Sequence, residues 1–190
     1  MDKVIKTIYS QDLTGQDVEI TTNGHCPIHL YRDLLKFNHI KEVIGGHNAC
    51  IVLFPVKSST DGHWITILYH PKTNTIEHWD SYGLSWTQEL KYSQDEETKY
   101  NILGQLYDKA RKEGYNVVYN PFRYQQMKEG INTCGKHASI RARFRYLDMY
   151  EYKKLMMGQS NNPDYLVSIL CFISLRDNQM EKDIVEKIVG

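Results

Sequence analysis

HWITILYHPKTNTIEHWDSYG, residues 63–83, decides the fold. Residues 63–70 and 75–83 are strand-like runs on either side of a Pro/Asn turn at 71–74, and that arrangement predicts a β-hairpin. A turn over Pro71 to Asn74 pairs His70 with Thr75. In that register Ile65 faces Asp80 and His63 faces Tyr82, so His63 and Asp80 are diagonal neighbours on one face. Moving the register by two residues places them directly opposite, and moving it by one sends them to opposite faces. On a shared face, the carboxylate can orient and polarise the imidazole, which is the base–orienter pair a cysteine nucleophile requires.

Outward from the hairpin, ACIVLFPV (49–56) is a continuous apolar, β-branched run and predicts a buried strand. LYRDLLKFNHIKEVI (30–44) has apolar residues at helical spacing and stops at Gly45-Gly46. A helix is expected over 96–114, closed by Gly114. The segment 115–125 reads as a strand that Pro121 breaks or confines to an edge. Another helix begins near Cys134 and runs on through IRARFRYLDMY (140–150). Residues 161–172 start a further helix with Pro and Asp in its first turn, and 178–190 predicts a short amphipathic one. Helices at both ends of a mostly antiparallel central sheet make an α+β fold, read as a single domain over 1–190.

Composition narrows the setting. Basic and acidic residues balance at 23 each in 190 residues, so no global field draws the chain to nucleic acid or membrane. The most apolar stretch, 165–175, is too short to cross a bilayer. The N-terminus lacks the apolar run of a signal peptide, and four dispersed cysteines with no CxxC pair fit a reducing, intracellular compartment.

Among those cysteines, Cys134 lies at the first turn of a helix that Asn132 or Thr133 can cap. Backbone N–H groups and the helix dipole favour the thiolate there. Gly135 permits close approach to the sulfur. Cys50 and Cys171 lie in apolar runs and read as core. Cys26, in GHCPIH, has histidines nearby but no second ligand pair at zinc spacing. His63 is favoured as the base, with His137, one turn after Cys134, as the rival. Asp80 can serve His63, whereas no acid is evident for His137.

Taken together, GHW (62–64), DSYG (80–83), YNPFRYQ (119–125 within 115–125) and TCG (133–135) resemble the adenovirus-protease-like cysteine peptidases, the superfamily that also holds the SUMO-specific proteases. Within it the chain is most similar to maturation proteases of virophages, polinton-type elements and related large DNA viruses. The resemblance implies a papain-like, circularly permuted protease core over about residues 48–150. It also implies Cys134 as nucleophile, His63 as general base and Asp80 as its orienter. Gln125, with Gln126 as the alternative, would join the Cys134 N–H in an oxyanion hole. Trp64, Tyr82 and Gly135 would line the substrate cleft. The implied substrates are viral structural precursors, cut in the infected cell at the assembly site by an enzyme packaged in the virion, with a peptide activator left open. No cofactor, metal or membrane partner is expected. DNA contact is not expected either, since Lys136, Arg141, Arg143 and Arg145 read as a solvated helix face. A deubiquitinase or SUMO-type isopeptidase is the alternative activity, and a non-catalytic interaction protein is the third.

Overall fold

The computed structural model describes residues 9–58, 61–93, 100–158 and 161–176. Its centre is a five-stranded sheet in sequential order: β1 (Ile28–Leu30), β2 (Ala49–Ser58), β3 (Asp61–His70), β4 (Thr75–Trp79) and β5 (Asn116–Tyr119). β3 runs antiparallel to both β2 and β4, while the short edge strands β1 and β5 add in parallel to β2 and β4. Short edges limit the unpaired backbone that another chain could join. The β3–β4 ladder pairs His70 with Thr75 and Thr66 with Trp79, the register expected from the turn. Asn74 takes the left-handed conformation at φ 50° to close that turn.

Both faces of the sheet are covered, which explains the continuous apolar run of β2. Ala49, Ile51 and Leu53 point to one core with Trp64, Leu68 and Trp79. Cys50, Val52 and Phe54 point to the other with Ile65, Ile67 and Ile76. The first core is roofed by α1 (Gly15–Thr21), α5 (Cys134–Arg143), α6 (Met149–Gly158) and α7 (Pro163–Arg176). The second is covered by α2 (Ile40–Ile44) and α4 (Ile102–Lys112). A single turn of helix, α3 (Trp86–Glu89), follows β4. Thr66 Oγ1 donates to the Ala138 carbonyl at 3.0 Å and pins α5 to β3.

Two helices expected as continuous are divided. Over 30–44 a 3-10 segment, Tyr31–Lys36, is followed by α2. The Glu42 carboxylate accepts from the backbone N–H groups of Asn38 and His39, at 2.8 and 3.1 Å, and starts a new helix there. The helix after Cys134 ends at Arg143 and α6 restarts at Met149, where Asp148 accepts from the N–H groups of Tyr150 and Glu151. The helix expected over 178–190 lies outside the described residues.

The basic residues of α5 do not form a solvated face. Arg141 is fully buried and bonds Glu77 Oε2 at 3.0 Å, with the carbonyls of Phe144 and Leu147 as further acceptors. Lys136 is buried and donates to the Gln11 carbonyl. Arg143 donates to the Thr21 carbonyl and Arg145 to that of Ala142. Glu77 stands on the side of the sheet that faces α5, where an unpaired buried carboxylate is costly, so it draws Arg141 inward.

Candidate active site

The DSYG turn organises the site. Asp80 follows directly on β4 and is completely buried. Its Oδ1 bonds His63 Nε2, and its Oδ2 accepts the Leu84 N–H at 2.8 Å. Asn120 Nδ2 donates to the Asp80 carbonyl at 2.8 Å, so backbone and side chain are both fixed. Tyr82 stacks on the His63 ring, with centroids 5.0 Å apart and planes 25° from parallel. Gly83 has φ 76°, and a Cβ there would stand 3.0 Å from the Pro121 and Phe122 backbone, so the turn requires glycine.

Cys134, the first residue of α5, reaches the same end of β3 and borders one hollow with His63, the two side chains close enough to shift each other's ionisation. With Nε2 taken by Asp80, Nδ1 is the ring nitrogen left for the thiol. Burial by itself raises the thiol pKa. The His63 bond and charge, with the backbone N–H groups of Trp64 and Gly135 aimed at the sulfur, bring it below the ordinary value. Burial likewise disfavours charged His63, but Asp80 outweighs it and holds the imidazole well above its usual range. The carboxylate, disfavoured by its own burial, is held low by His63. These directions favour a thiolate–imidazolium pair.

The other cysteines differ. Cys26, Cys50 and Cys171 are buried, and desolvation pushes Cys26 and Cys171 up to about 12. His29, a neighbour of Cys26, is engaged with the Val43 carbonyl at 2.9 Å. Among the described residues no group of three or more His, Cys, Asp and Glu side chains could hold a metal ion. No described helix is long and apolar enough to cross a membrane.

Gln125 and Gln126 part company. Gln125 is buried, takes a 2.8 Å hydrogen bond from Ser81 Oγ on Oε1, and lines the same hollow as Cys134 and His63. Gln126 faces away toward Asn162 and lines a separate depression behind the loop. Two hollows meet at Cys134. One, of about 650 Å³, is bounded by Phe54, Tyr82, Leu84 and Gln125. The other, of about 500 Å³, is bounded by Leu13, Leu53, Trp64 and Gly135. Asp12 borders both. The space above Gly135 is already taken by Trp64 and Leu13, each 3.1 Å from where a Cβ would lie. Its small size therefore serves internal packing as well as access. Trp79, by contrast, is core, packed among Tyr124, His137 and Tyr152.

Two expectations need correction. His137 does have an acid: its Nε2 bonds Asp164 Oδ1 at 3.1 Å, and both side chains are fully buried. That engagement, rather than lack of a carboxylate, separates it from the thiol. Thr133 stands at the helix N-cap but makes no capping bond; its hydroxyl donates to Asp164 at 2.5 Å. The Asn132 side chain donates to the Ser10 carbonyl at 3.3 Å. Ser81 was not singled out by the sequence, although its place between Asp80 and Tyr82 is the signal that marks it.

The fold and site define an α+β protein with a preassembled thiol–imidazole–carboxylate chain at the meeting of two hollows. The sequence is 30% identical over 177 residues to uncharacterized protein V9 of Sputnik virophage, a match covering 88% of this chain and 98% of that protein; the chain belongs to the V9 family. No protein-family model matches it. Among solved structures it aligns with the C-terminal Ulp1 protease domain in complex with Smt3, the yeast ortholog of SUMO. That match has 13% identity and a TM-score of 0.43, over 91% of this chain and 81% of the other. It aligns also with SUMO protease Ulp1 whose catalytic cysteine is oxidized to a sulfinic acid, at 12% identity and a TM-score of 0.43, over 87% and 78%. Likeness at that level is too slight to bear on function.

Proposed function

We propose that this chain is a cysteine endopeptidase that cuts viral structural precursors, capsid proteins above all, during virion maturation. The observation that carries the reading is Cys134 beside His63, which is itself hydrogen-bonded to Asp80, at an open cleft. Cys134 thiolate attacks the scissile carbonyl carbon, and the carbonyl electrons move to oxygen. Gln125 Nε2 and the Cys134 N–H stabilise that oxyanion; one such donor is worth about 10²–10³ in turnover. His63 then gives its proton to the leaving amine as the C–N bond breaks, leaving a thioester on Cys134. A water molecule, giving its proton to His63, attacks the thioester, and release of the acid restores the resting pair. Asp80 keeps the His63 ring aligned throughout. The hollows on either side of Cys134 suit an extended peptide.

The V9 relative, from a virophage, agrees with a viral setting. In this reading the enzyme acts where virions assemble in the infected cell and is carried in the particle. The test is to incubate the purified chain, and Cys134→Ala, with capsid precursors from the same genome and map the products by mass spectrometry. Discrete cleavage by the wild type alone supports the reading. Cleavage confined to a ubiquitin-like C-terminus would make it an isopeptidase. Absence of both, with no labelling of Cys134 by an electrophilic peptide, would remove the peptidase reading.

A further inference from the structure

Asp164, in the first turn of α7, is fully buried, yet among the described residues every hydrogen-bond partner of its carboxylate borders the site rather than its own helix. Oδ1 accepts from Thr133 Oγ1 at 2.5 Å and from His137 Nε2 at 3.1 Å. Oδ2 accepts the Gln126 backbone N–H at 3.0 Å. Thr133 immediately precedes Cys134, His137 lies one turn beyond it, and Gln126 immediately follows Gln125. One carboxylate thus grips both ends of the loop that joins the glutamine to the nucleophile.

Near its second end the loop is also tied by Asn132, whose N–H donates to the Tyr9 carbonyl at 2.8 Å and whose side chain donates to the Ser10 carbonyl at 3.3 Å. It turns on itself through Gln126, Lys128 and Ile131, with Gly130 at φ 78°. The Gln125 side chain touches Ser81 on one side and the Ile131 carbonyl, at 3.3 Å, on the other. His137 Nδ1 is buried without a partner among the described residues, so the ring is held through Nε2. Leaving one buried ring nitrogen bare is a cost that a purely structural histidine would avoid.

We propose that Asp164 is a positioning residue for the reaction: it fixes the separation between the Gln125 amide and the Cys134 sulfur, and so sets the oxyanion hole. The proposal rests on the peptidase reading. Three donors converge on its two oxygens, which only a carboxylate satisfies. An asparagine turns an N–H₂ toward at least one of them, so one end of the grip loosens while the side chain's volume stays the same.

The experiment compares wild type, Asp164→Asn, Gln125→Ala and the double variant on one peptide substrate, with the alkylation rate of Cys134 measured alongside. Asp164→Asn is expected to lower kcat by at least about tenfold while KM stays within about twofold. Alkylation should be unchanged, because the Cys134–His63 pair is intact. In the Gln125→Ala background the same substitution should cost nothing further. An equal loss in both backgrounds, or alkylation falling in step with kcat, overturns the proposal. Should Asp164→Asn fail to fold, Thr133→Val, which removes a single bond, must give a smaller loss of the same pattern. A separate arm needs no turnover. Hydrogen exchange across 125–133 should quicken in Asp164→Asn relative to the sheet, and unchanged exchange there overturns the grip itself. If the wild type cleaves nothing, the peptidase reading fails and the exchange result alone decides whether Asp164 holds this loop.

Discussion

Ser81 Oγ donates a 2.8 Å hydrogen bond to Gln125 Oε1, joining residues 44 apart in sequence. The bond fixes which way the glutamine amide faces: oxygen toward Ser81, nitrogen toward the Ile131 carbonyl. The Ser81 carbonyl also accepts the N–H groups of Tyr124 and Gln125, at 2.8 and 3.0 Å. One turn therefore holds both Asp80, against the imidazole, and Gln125, the proposed oxyanion donor.

Ser81→Ala frees the amide to rotate and should lower kcat, though by less than Gln125→Ala, whose expected cost is about 10²–10³. Gln126→Ala should stay near wild type, since its side chain points to Asn162. Steady-state kinetics on one peptide separates the three. Equal losses for the two glutamines would contradict the assignment.

Asp80→Asn removes the charge that holds His63 above its ordinary pKa against the opposing effect of burial. The sign follows: His63 loses its proton at lower pH, so the alkaline limb of kcat/KM moves down, and the rate falls across the profile. His63→Ala should cost more, because it removes the proton carrier itself. A pH–rate profile of Asp80→Asn with an unmoved alkaline limb would contradict the role given to the carboxylate.

Arg141 and Glu77 form a buried pair, with His70 on the same carboxylate at 2.7 Å and Tyr152 stacked 4.7 Å beneath the guanidinium. Arg141→Ala leaves Glu77 charged and buried, and should cost about 3–5 kcal/mol by urea unfolding. A loss under about 1 kcal/mol, the value of a surface pair, would contradict its burial.

Gly135→Ala pushes a methyl toward Trp64 and Leu13, both at 3.1 Å. Overpacking of that kind costs about 1–3 kcal/mol. The displacement falls on the wall of the second hollow, so KM should rise as well. Thermal unfolding and Michaelis analysis read the two effects, and an unchanged value in both would mean the indole yields freely.

How much of this was legible in the sequence depended on distance and periodicity. His63 and Asp80 could be paired because a tight turn fixes register and a strand alternates with period two. Residues 120–128 are not a strand, so alternation gave no means of choosing between Gln125 and Gln126. Asp164 reads in sequence as an ordinary acid in the first turn of a helix, where it favours the dipole. Only the packing of α7 against α5 reveals that it serves Thr133, His137 and Gln126. The burial of Arg141 was hidden likewise, because its partner Glu77 lies 64 residues away on the sheet. The supports of the site also lie outside the 48–150 core expected from the motifs. The carbonyls of Tyr9 and Gln11 accept from the Asn132 N–H and from Lys136, on either side of Cys134.

The central claim is a thiolate–imidazolium pair at Cys134 and His63, and the rate of Cys134 alkylation against pH tests it most directly. Mass spectrometry reads each cysteine separately in wild type and His63→Ala. The account predicts fast reaction at Cys134 with an apparent pKa below that of an ordinary thiol, rising when His63 is removed and only the backbone N–H groups of Trp64 and Gly135 oppose burial. Cys26, held up at about 12 by burial, serves as the internal reference. A Cys134 no more reactive than Cys26, or one indifferent to the loss of His63, would contradict the account.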